Sequence, residues 1–204
     1  MDVIADGIKK GCPHLETLDL SRNKFKSTEA LALCKSLENS NITTVNLSSA
    51  RFPVENLKDL LMSVANNGLD VKFNLSDNGY GVSAATAISE ISVKMANVHT
   101  LNLSDNELGD EGIATLAGGL CSNMCIRHLI IDRNWKSAGK TRTSAIDNII
   151  KMIQANPYID TLSLEGSLKS SLTLKSDIVP FLQSLGINTT LTSINISGLS
   201  LYVF

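Results

Sequence analysis

One eleven-residue pattern returns seven times along this chain of 204 residues, and that repetition constrains the fold more than any other feature. It reads LETLDLSRNKF from Leu15, ITTVNLSSARF from Ile42 and DVKFNLSDNGY from Asp70. It continues as VHTLNLSDNEL from Val98, IRHLIIDRNWK from Ile126, IDTLSLEGSLK from Ile159 and LTSINISGLSL from Leu191. The ninth position holds Asn23, Ala50, Asn78, Asn106, Asn134, Ser167 and Leu199, at successive separations of 27, 28, 28, 28, 33 and 32 residues. A unit this short cannot bury an apolar face alone. Neighbouring units must stack, so the chain builds a solenoid in which each repeat contacts the next.

The spacing L-x-x-L-x-L-x-x-N-x-L is that of the leucine-rich repeat. Leu18 and Leu20 alternate with Thr17, Asp19 and Ser21, so a short strand buries the leucines and displays the others. The asparagines Asn23, Asn78, Asn106 and Asn134 fall where each strand ends, and we expect them to form a structural ladder by bonding the backbone as it bends away. Losing one such buried partner costs about 1–3 kcal/mol. Between the strands lie helical patterns. DEGIATLAGGL from Asp110 puts Ile113, Leu116, Ala117 and Leu120 on one face after an acidic first turn, and SAIDNIIKMI from Ser144 does the same with Ile146, Ile149, Ile150 and Ile153. A repeat of about 28 residues with a full helix is similar to the ribonuclease-inhibitor-like subtype. The expected fold is an α/β leucine-rich-repeat horseshoe spanning residues 1–204 as one domain of about seven rungs. Parallel strands line its concave face and helices its convex face.

Composition fits that core. Hydrophobic residues make up 43% of the chain and aromatics only 4%, so the interior is built from Leu, Ile, Val and Ala. A net charge of −2 gives no general pull toward nucleic acid or anionic membrane. MDVIADGIKKG, at the start, has no apolar run of signal-peptide length, and no segment approaches ~18 uninterrupted apolar residues. Cys12, Cys34, Cys121 and Cys125 show no metal-ligand spacing, and we read them as reduced thiols. No cofactor is expected. Six N-x-[ST] sequons occur, but Asn46, Asn74, Asn102 and Asn195 belong to the repeat pattern itself, so we expect no dense glycosylation.

Two stretches invite a chemical reading. RHLIIDRNWKSAGKTRTSAIDNIIKMI, from Arg127, runs strand, Gly139-Lys140-Thr141, helix, in the order of a phosphate-binding loop. That loop needs G-x-x-x-x-G-K-[ST], and Asn134 stands at the first glycine slot, so nucleotide binding is rejected. The same segment lengthens its repeat by five residues and carries Arg133, Lys136, Lys140 and Arg142. It reads as a solvated basic loop or a contact for an acidic partner or phosphoinositide headgroup. The second stretch is the concave face. It is small and polar, and Lys72, His128, Asp132, Arg133 and Glu165 break its monotony; if a protein partner docks there, these are the candidate contacts. His128 and Asp132 lack a Ser or Cys nucleophile in an activating motif, so a catalytic pair is set aside.

RHLIIDRNWKS, IDNIIKMIQ and DTLSLEGSLKS, with LETLDLSRNKF and LCKSLENS nearer the start, resemble the leucine-rich-repeat domain of the CARMIL family, the capping-protein, actin-related-protein-complex and myosin-I linkers. The similarity covers essentially Leu15 to Gly198, and its specific part is the expanded repeat from Arg127 to Lys169. The resemblance implies a noncatalytic protein-interaction scaffold in actin assembly and cell migration. It implies a cytoplasmic location at the cell cortex or lamellipodium, with membrane association through other regions of the intact protein. In that family a membrane-binding domain precedes the repeats, and a dimerisation region and a flexible tail that binds capping protein follow. No residue of this chain therefore inherits capping-protein inhibition. The apolar ends of the repeat array lead us to expect a fragment, and the partner itself is not legible. The alternative is a GTPase-activating protein of the Ran-GTPase-activating repeat type, for which Arg22 and Arg133 supply loop arginines but no acidic tail follows.

Overall fold

The computed structural model describes residues 12–135, 142–166 and 178–199. Lys136, Lys140, Ser167 and the Gly139-Lys140-Thr141 sequence lie outside the described residues.

Among the described residues seven strands form one parallel sheet in chain order: β1 (Thr17–Asp19), β2 (Thr44–Asn46), β3 (Val71–Asn74), β4 (Val98–Asn102), β5 (His128–Ile130), β6 (Thr161–Ser163) and β7 (Ser193–Asn195). Leu18, Val45, Phe73, Leu101, Leu129, Leu162 and Ile194 stand side by side in register, and the pairing of β3 with β4 shifts between Val71 and Lys72. Helices return the chain from one strand to the next: α1 (Ser27–Leu37), α2 (Leu57–Met62, entered through a 3-10 turn over Val54–Asn56), α3 (Val82–Ile91), α4 (Gly109–Leu120), α5 (Arg142–Ala155) and α6 (Ile178–Ile187). This is an α/β solenoid with strands on one face and helices on the other.

The alternation in each strand accounts for the layering. Val45, Leu47, Phe73, Leu75, Leu101, Leu103, Leu162 and Leu164 are buried between sheet and helices. Helix α4 adds Ile113, Leu116, Ala117 and Leu120, and α5 adds Ile146, Ile149 and Ile153. Ile150 is only half-buried, and Met152 takes a core place that the helical pattern did not assign to it. Leu18 in β1 and Ile194 in β7 are half-buried, since each has a strand on one side only among the described residues.

Side-chain amides tie the rungs together at the ends of the strands. Asn134 is 1% exposed; its Nδ2 donates to the carbonyls of Leu103, Ile131 and Asp132, and its Oδ1 accepts from Asn106 N and Leu108 N. Asn106 repeats this toward Leu75 O, Leu103 O, Ser104 O and Asn78 N. Asn78 does so toward Leu47 O, Leu75 O, Ser76 O, Ala50 N and Phe52 N. Asn23 differs. It is exposed, and its Nδ2 reaches only Leu20 O and Ser21 O of its own rung. Ala50 on the next rung has no side-chain carbonyl to accept from Asn23 N, as Asn106 Oδ1 does from Asn78 N.

A second set of asparagines holds the opposite ends of the strands, and the sequence reading missed it. Asn123 Oδ1 accepts from Cys125 N and Ile126 N while its Nδ2 donates to Ser92 O. Asn156 accepts from Tyr158 N and Ile159 N and donates to Leu120 O and Asn123 O. Asn188 accepts from Thr190 N and Leu191 N and donates to Ile153 O. Each stands three residues before the first position of its repeat, as do Asn39 and Asn67, so the signal was there to find.

Candidate functional site

The displayed face of the sheet carries most of the candidate residues, and the backbone dictates where each one sits. A polar residue at the strand end caps the turn that follows. Asn46, Asn74, Asn102 and Asn195 each accept, through Oδ1, the N–H of the serine two residues on, at 3.1, 3.2, 2.9 and 3.0 Å, and Asp19 caps Ser21 in the same way. These Asx turns explain the N-x-S spacing physically. They also show what these asparagine side chains are used for.

Rungs 5 and 6 break this rule, and the charged residues concentrate there. Ile130 and Ser163 occupy the capping position, so neither offers a carboxamide. The Glu165 N–H is capped instead by Asp132 of the neighbouring rung, at 2.8 Å to Oδ1, and the Ser163 hydroxyl donates to the same oxygen at 2.5 Å. Asp132 is therefore not the open concave acid that the alternation suggests. It is 8% exposed, and one carboxylate oxygen is spent on locking β5 to β6.

Arg133 lies at the mouth of this lock. Its Nε sits 2.9 and 3.0 Å from the two carboxylate oxygens of Asp105, its Nη2 sits 2.8 Å from Oδ2 of the same residue, and its Nη1 sits 3.1 Å from Glu165 Oε1. The hydrogen bonds to Asp105, opposed by partial desolvation and aided by the charges of Asp105, Glu165 and Asp132, raise the guanidinium pKa further above its ordinary value. The planar fork is fixed in place but its surface stays open, since Arg133 is exposed. Asn195 Nδ2 approaches the other oxygen of Glu165 at 3.4 Å. One continuous network thus runs from rung 4 to rung 7.

At the opposite strand ends a second cluster forms. His128 Nε2 lies 3.2 Å from Asp160 Oδ1, and its Nδ1 lies 3.3 Å from the Thr100 hydroxyl. His99 meets His128 edge to face, with ring centroids 4.9 Å apart, and lies 3.6 Å from Asp70 Oδ2. The Arg127 guanidinium stands over the Tyr158 ring at 5.3 Å. The structure therefore pairs His128 with Asp160 rather than Asp132. It also brings together two histidines that the sequence leaves on different repeats at different positions. Lys72 is exposed on β3, in register with Thr100, whose hydroxyl lies 3.3 Å from His128 Nδ1. Arg142 opens α5. The described thiols are unpaired, with Cys34 buried, Cys12 exposed and Cys121 and Cys125 half-buried. Among the described residues no group of three or more His, Cys, Asp or Glu side chains is placed to hold a metal, and no helix is long and apolar enough to cross a membrane.

Stacked strands in constant register, an asparagine ladder and helices on the far side define a leucine-rich-repeat solenoid, and a family model described as Leucine Rich repeat matches residues 11–34 and 94–117. The chain belongs to this class, and within it the resemblance is to the CARMIL family. It is 34% identical to Protein CARMIL of Dictyostelium discoideum over 97% of its own length. It is 30% identical to capping protein, Arp2/3 and myosin-I linker protein 3 of Rattus norvegicus, again over 97%. A third relative, Rho GTPase-activating protein gacW of Dictyostelium discoideum, is 32% identical over 94% of the chain. The chain spans 19%, 15% and 15% of the length of these three proteins.

Proposed function

We propose that this chain is a noncatalytic interaction scaffold of the CARMIL kind, serving actin-regulatory machinery at the cell cortex. The observation that carries this reading is the fixed network on rungs 4 to 7. Asp132 locks two strands, Arg133 is clamped by two carboxylates, and His128 is set between Thr100 and Asp160. Side chains already held in place lose little freedom on contact, so a partner is met at low entropic cost. Lys72, His128, Arg133 and Glu165 are the contacts, with Asp132 acting beneath them as their support. By sequence, Lys136, Lys140 and Arg142 add positive charge that suits an acidic partner. The names of the relatives point to capping protein, Arp2/3 and myosin-I as the protein class to try. Nucleic acid is not a partner, and membrane association belongs to other regions of the intact protein, which is cytoplasmic and reaches the plasma membrane at the lamellipodium.

The competing reading is activation of a GTPase, favoured by the likeness to a Rho GTPase-activating protein and by a loop arginine at position 133. It fits less well at Arg133, whose guanidinium is already committed to Asp105 and Glu165, which leaves Arg22 as the loop arginine for that reading. The test is direct binding of this chain to purified capping protein, Arp2/3 complex and a myosin-I, with a GTP-hydrolysis assay alongside. The scaffold reading expects at least one of the three to bind, and Lys72→Glu with Arg133→Glu to weaken it tenfold or more, with no effect on hydrolysis. Failure of all three to bind, or GTPase stimulation lost in Arg133→Ala, overturns it.

A further inference from the structure

The edge of the solenoid where the strands end is divided by charge, and its first part contains none of the residues assigned to partner binding above. Backbone bonds keep this edge in register. Arg22 N reaches Ser48 O at 2.9 Å, Ser49 N reaches Ser76 O at 2.9 Å, and Asp77 N reaches Ser104 O at 3.0 Å. One row of side chains thus runs Arg22, Ser49, Asp77, Asp105. A second row, two residues on, runs Lys24, Arg51, Gly79, Glu107. Rungs 1 and 2 hold three cations and rungs 3 and 4 hold three acids.

None of the three cations is ion-paired among the described residues. Arg22, Lys24 and Arg51 are exposed. The carboxyl of Asp19 is held below its ordinary range mainly by bonds from Ser21 and Asn46, and only in the last place by the Arg22 charge. Arg133, farther along the same edge, is the contrast, with Asp105 and Glu165 both bound. Arg22 and Arg51 also sit at φ of 58° and 46°, a left-handed conformation that Asn or Gly adopts at lower cost. Long cationic side chains there gain no internal partner in return.

The shape of the patch selects its ligand. Adjacent rungs are about 4.8 Å apart, so the three charges occupy a spot only two rungs wide. An anionic membrane plane or a nucleic-acid backbone would extend past it onto Asp77 and Glu107, which are exposed acids on the next two rungs. A short chain of carboxylates would not. We infer that Arg22, Lys24 and Arg51 form a docking patch for a short acidic segment of a protein partner, with Asp77 and Glu107 fixing where that segment stops. The inference rests on the scaffold reading but uses a separate surface.

The test is fluorescence anisotropy of a labelled peptide with four consecutive glutamates flanked by uncharged residues, titrated with the 204-residue chain at 50 and 300 mM salt. Binding that weakens with salt is expected. The triple variant Arg22→Asn, Lys24→Gln, Arg51→Asn keeps the backbone geometry and should bind at least tenfold more weakly. Asp77→Asn with Glu107→Gln should bind more tightly. Circular dichroism melts confirm that each variant is folded, and Arg22→Gln alone, expected to lose about threefold, serves if the triple variant is not. No binding by the parent chain, equal binding by folded variants, or equally strong cation-dependent binding to phosphatidylserine vesicles overturns the inference. Retained binding of an actin-regulatory protein in the same variants leaves the scaffold reading standing.

Discussion

A single asparagine decides how much of the ladder survives. Asn134 is buried and serves five backbone groups on two rungs. Removing its carboxamide strands two buried N–H groups, so Asn134→Ala should cost about 3 kcal/mol. Asn23→Ala, at an exposed site bonded only within its own rung, should cost well under about 1 kcal/mol. Urea denaturation of the two variants measures the difference. Both residues fill the same slot in the repeat, and the sequence ranks them equally. What separates them is the preceding rung, which supplies Leu103 O, Asn106 N and Leu108 N to Asn134 and which the motif does not contain. Asp132 teaches the same point. Alternation places it on the displayed face, while the missing cap at Ser163 draws it down between strands. A substitution one rung away therefore sets its role.

Burial pushes the Cys34 thiol from its ordinary value of 9.0 up to about 12, with the Asp59 charge adding to the shift. Below pH 9.0 the folded and unfolded chains both hold this proton, so the shift has no effect on stability there. Above it the unfolded chain releases the proton while the folded chain keeps it, and stability should fall by about 1.4 kcal/mol per pH unit until the folded thiol ionises. Burial of the Tyr80 hydroxyl shifts its pKa in the same direction and steepens the loss at the alkaline end. Urea midpoints measured from pH 8 upward should decline, and Cys34→Ala should flatten the first part of the decline. An unchanged slope in that variant would place the loss elsewhere.

Packing between elements turns on two adjacent glycines in α4. A Cβ on Gly119 would lie 2.7 Å from the Ser89 Cα of α3, whereas one on Gly118 would meet only Asn148 Oδ1 at 3.7 Å. The clash involves backbone, so α3 and α4 would have to separate. Gly119→Ala should therefore destabilise by about 1–3 kcal/mol despite alanine's better helix propensity. Gly118→Ala should stabilise by about 0.5–1 kcal/mol. Thermal melts of the two variants should move in opposite directions. The buried faces of α4 and, for the most part, α5 were legible because a 3.6-residue apolar period runs through both. Close approach was not, because Gly118 and Gly119 are indistinguishable until the neighbouring helix is in place. The second asparagine set was legible and overlooked. It lies three residues ahead of five of the seven leucine patterns, outside the motif itself.

The whole molecule is a row of nearly equal units whose differences carry its specificity. Seven strands hold register through residue types the repeat enforces, and the irregular residues gather on rungs 4 to 7 and along the charged edge. The fold was legible from the repeat alone, since stacking is the only way to bury so short a unit. The candidate site was legible in part. Arg133 and Glu165 proved to be linked, while the pairing of His128 with Asp160 and the contact with His99 required neighbouring rungs to be superposed. If partners meet the sheet side of the solenoid, as proposed above, hydrogen exchange will register it there. Exchange is compared for the chain alone and at saturation with whichever of capping protein, Arp2/3 complex or myosin-I binds it. The account predicts added protection over β3 to β6 and the turns that follow them, with α2 to α5 unchanged. Protection confined to the helices, or spread evenly over both faces, would contradict it.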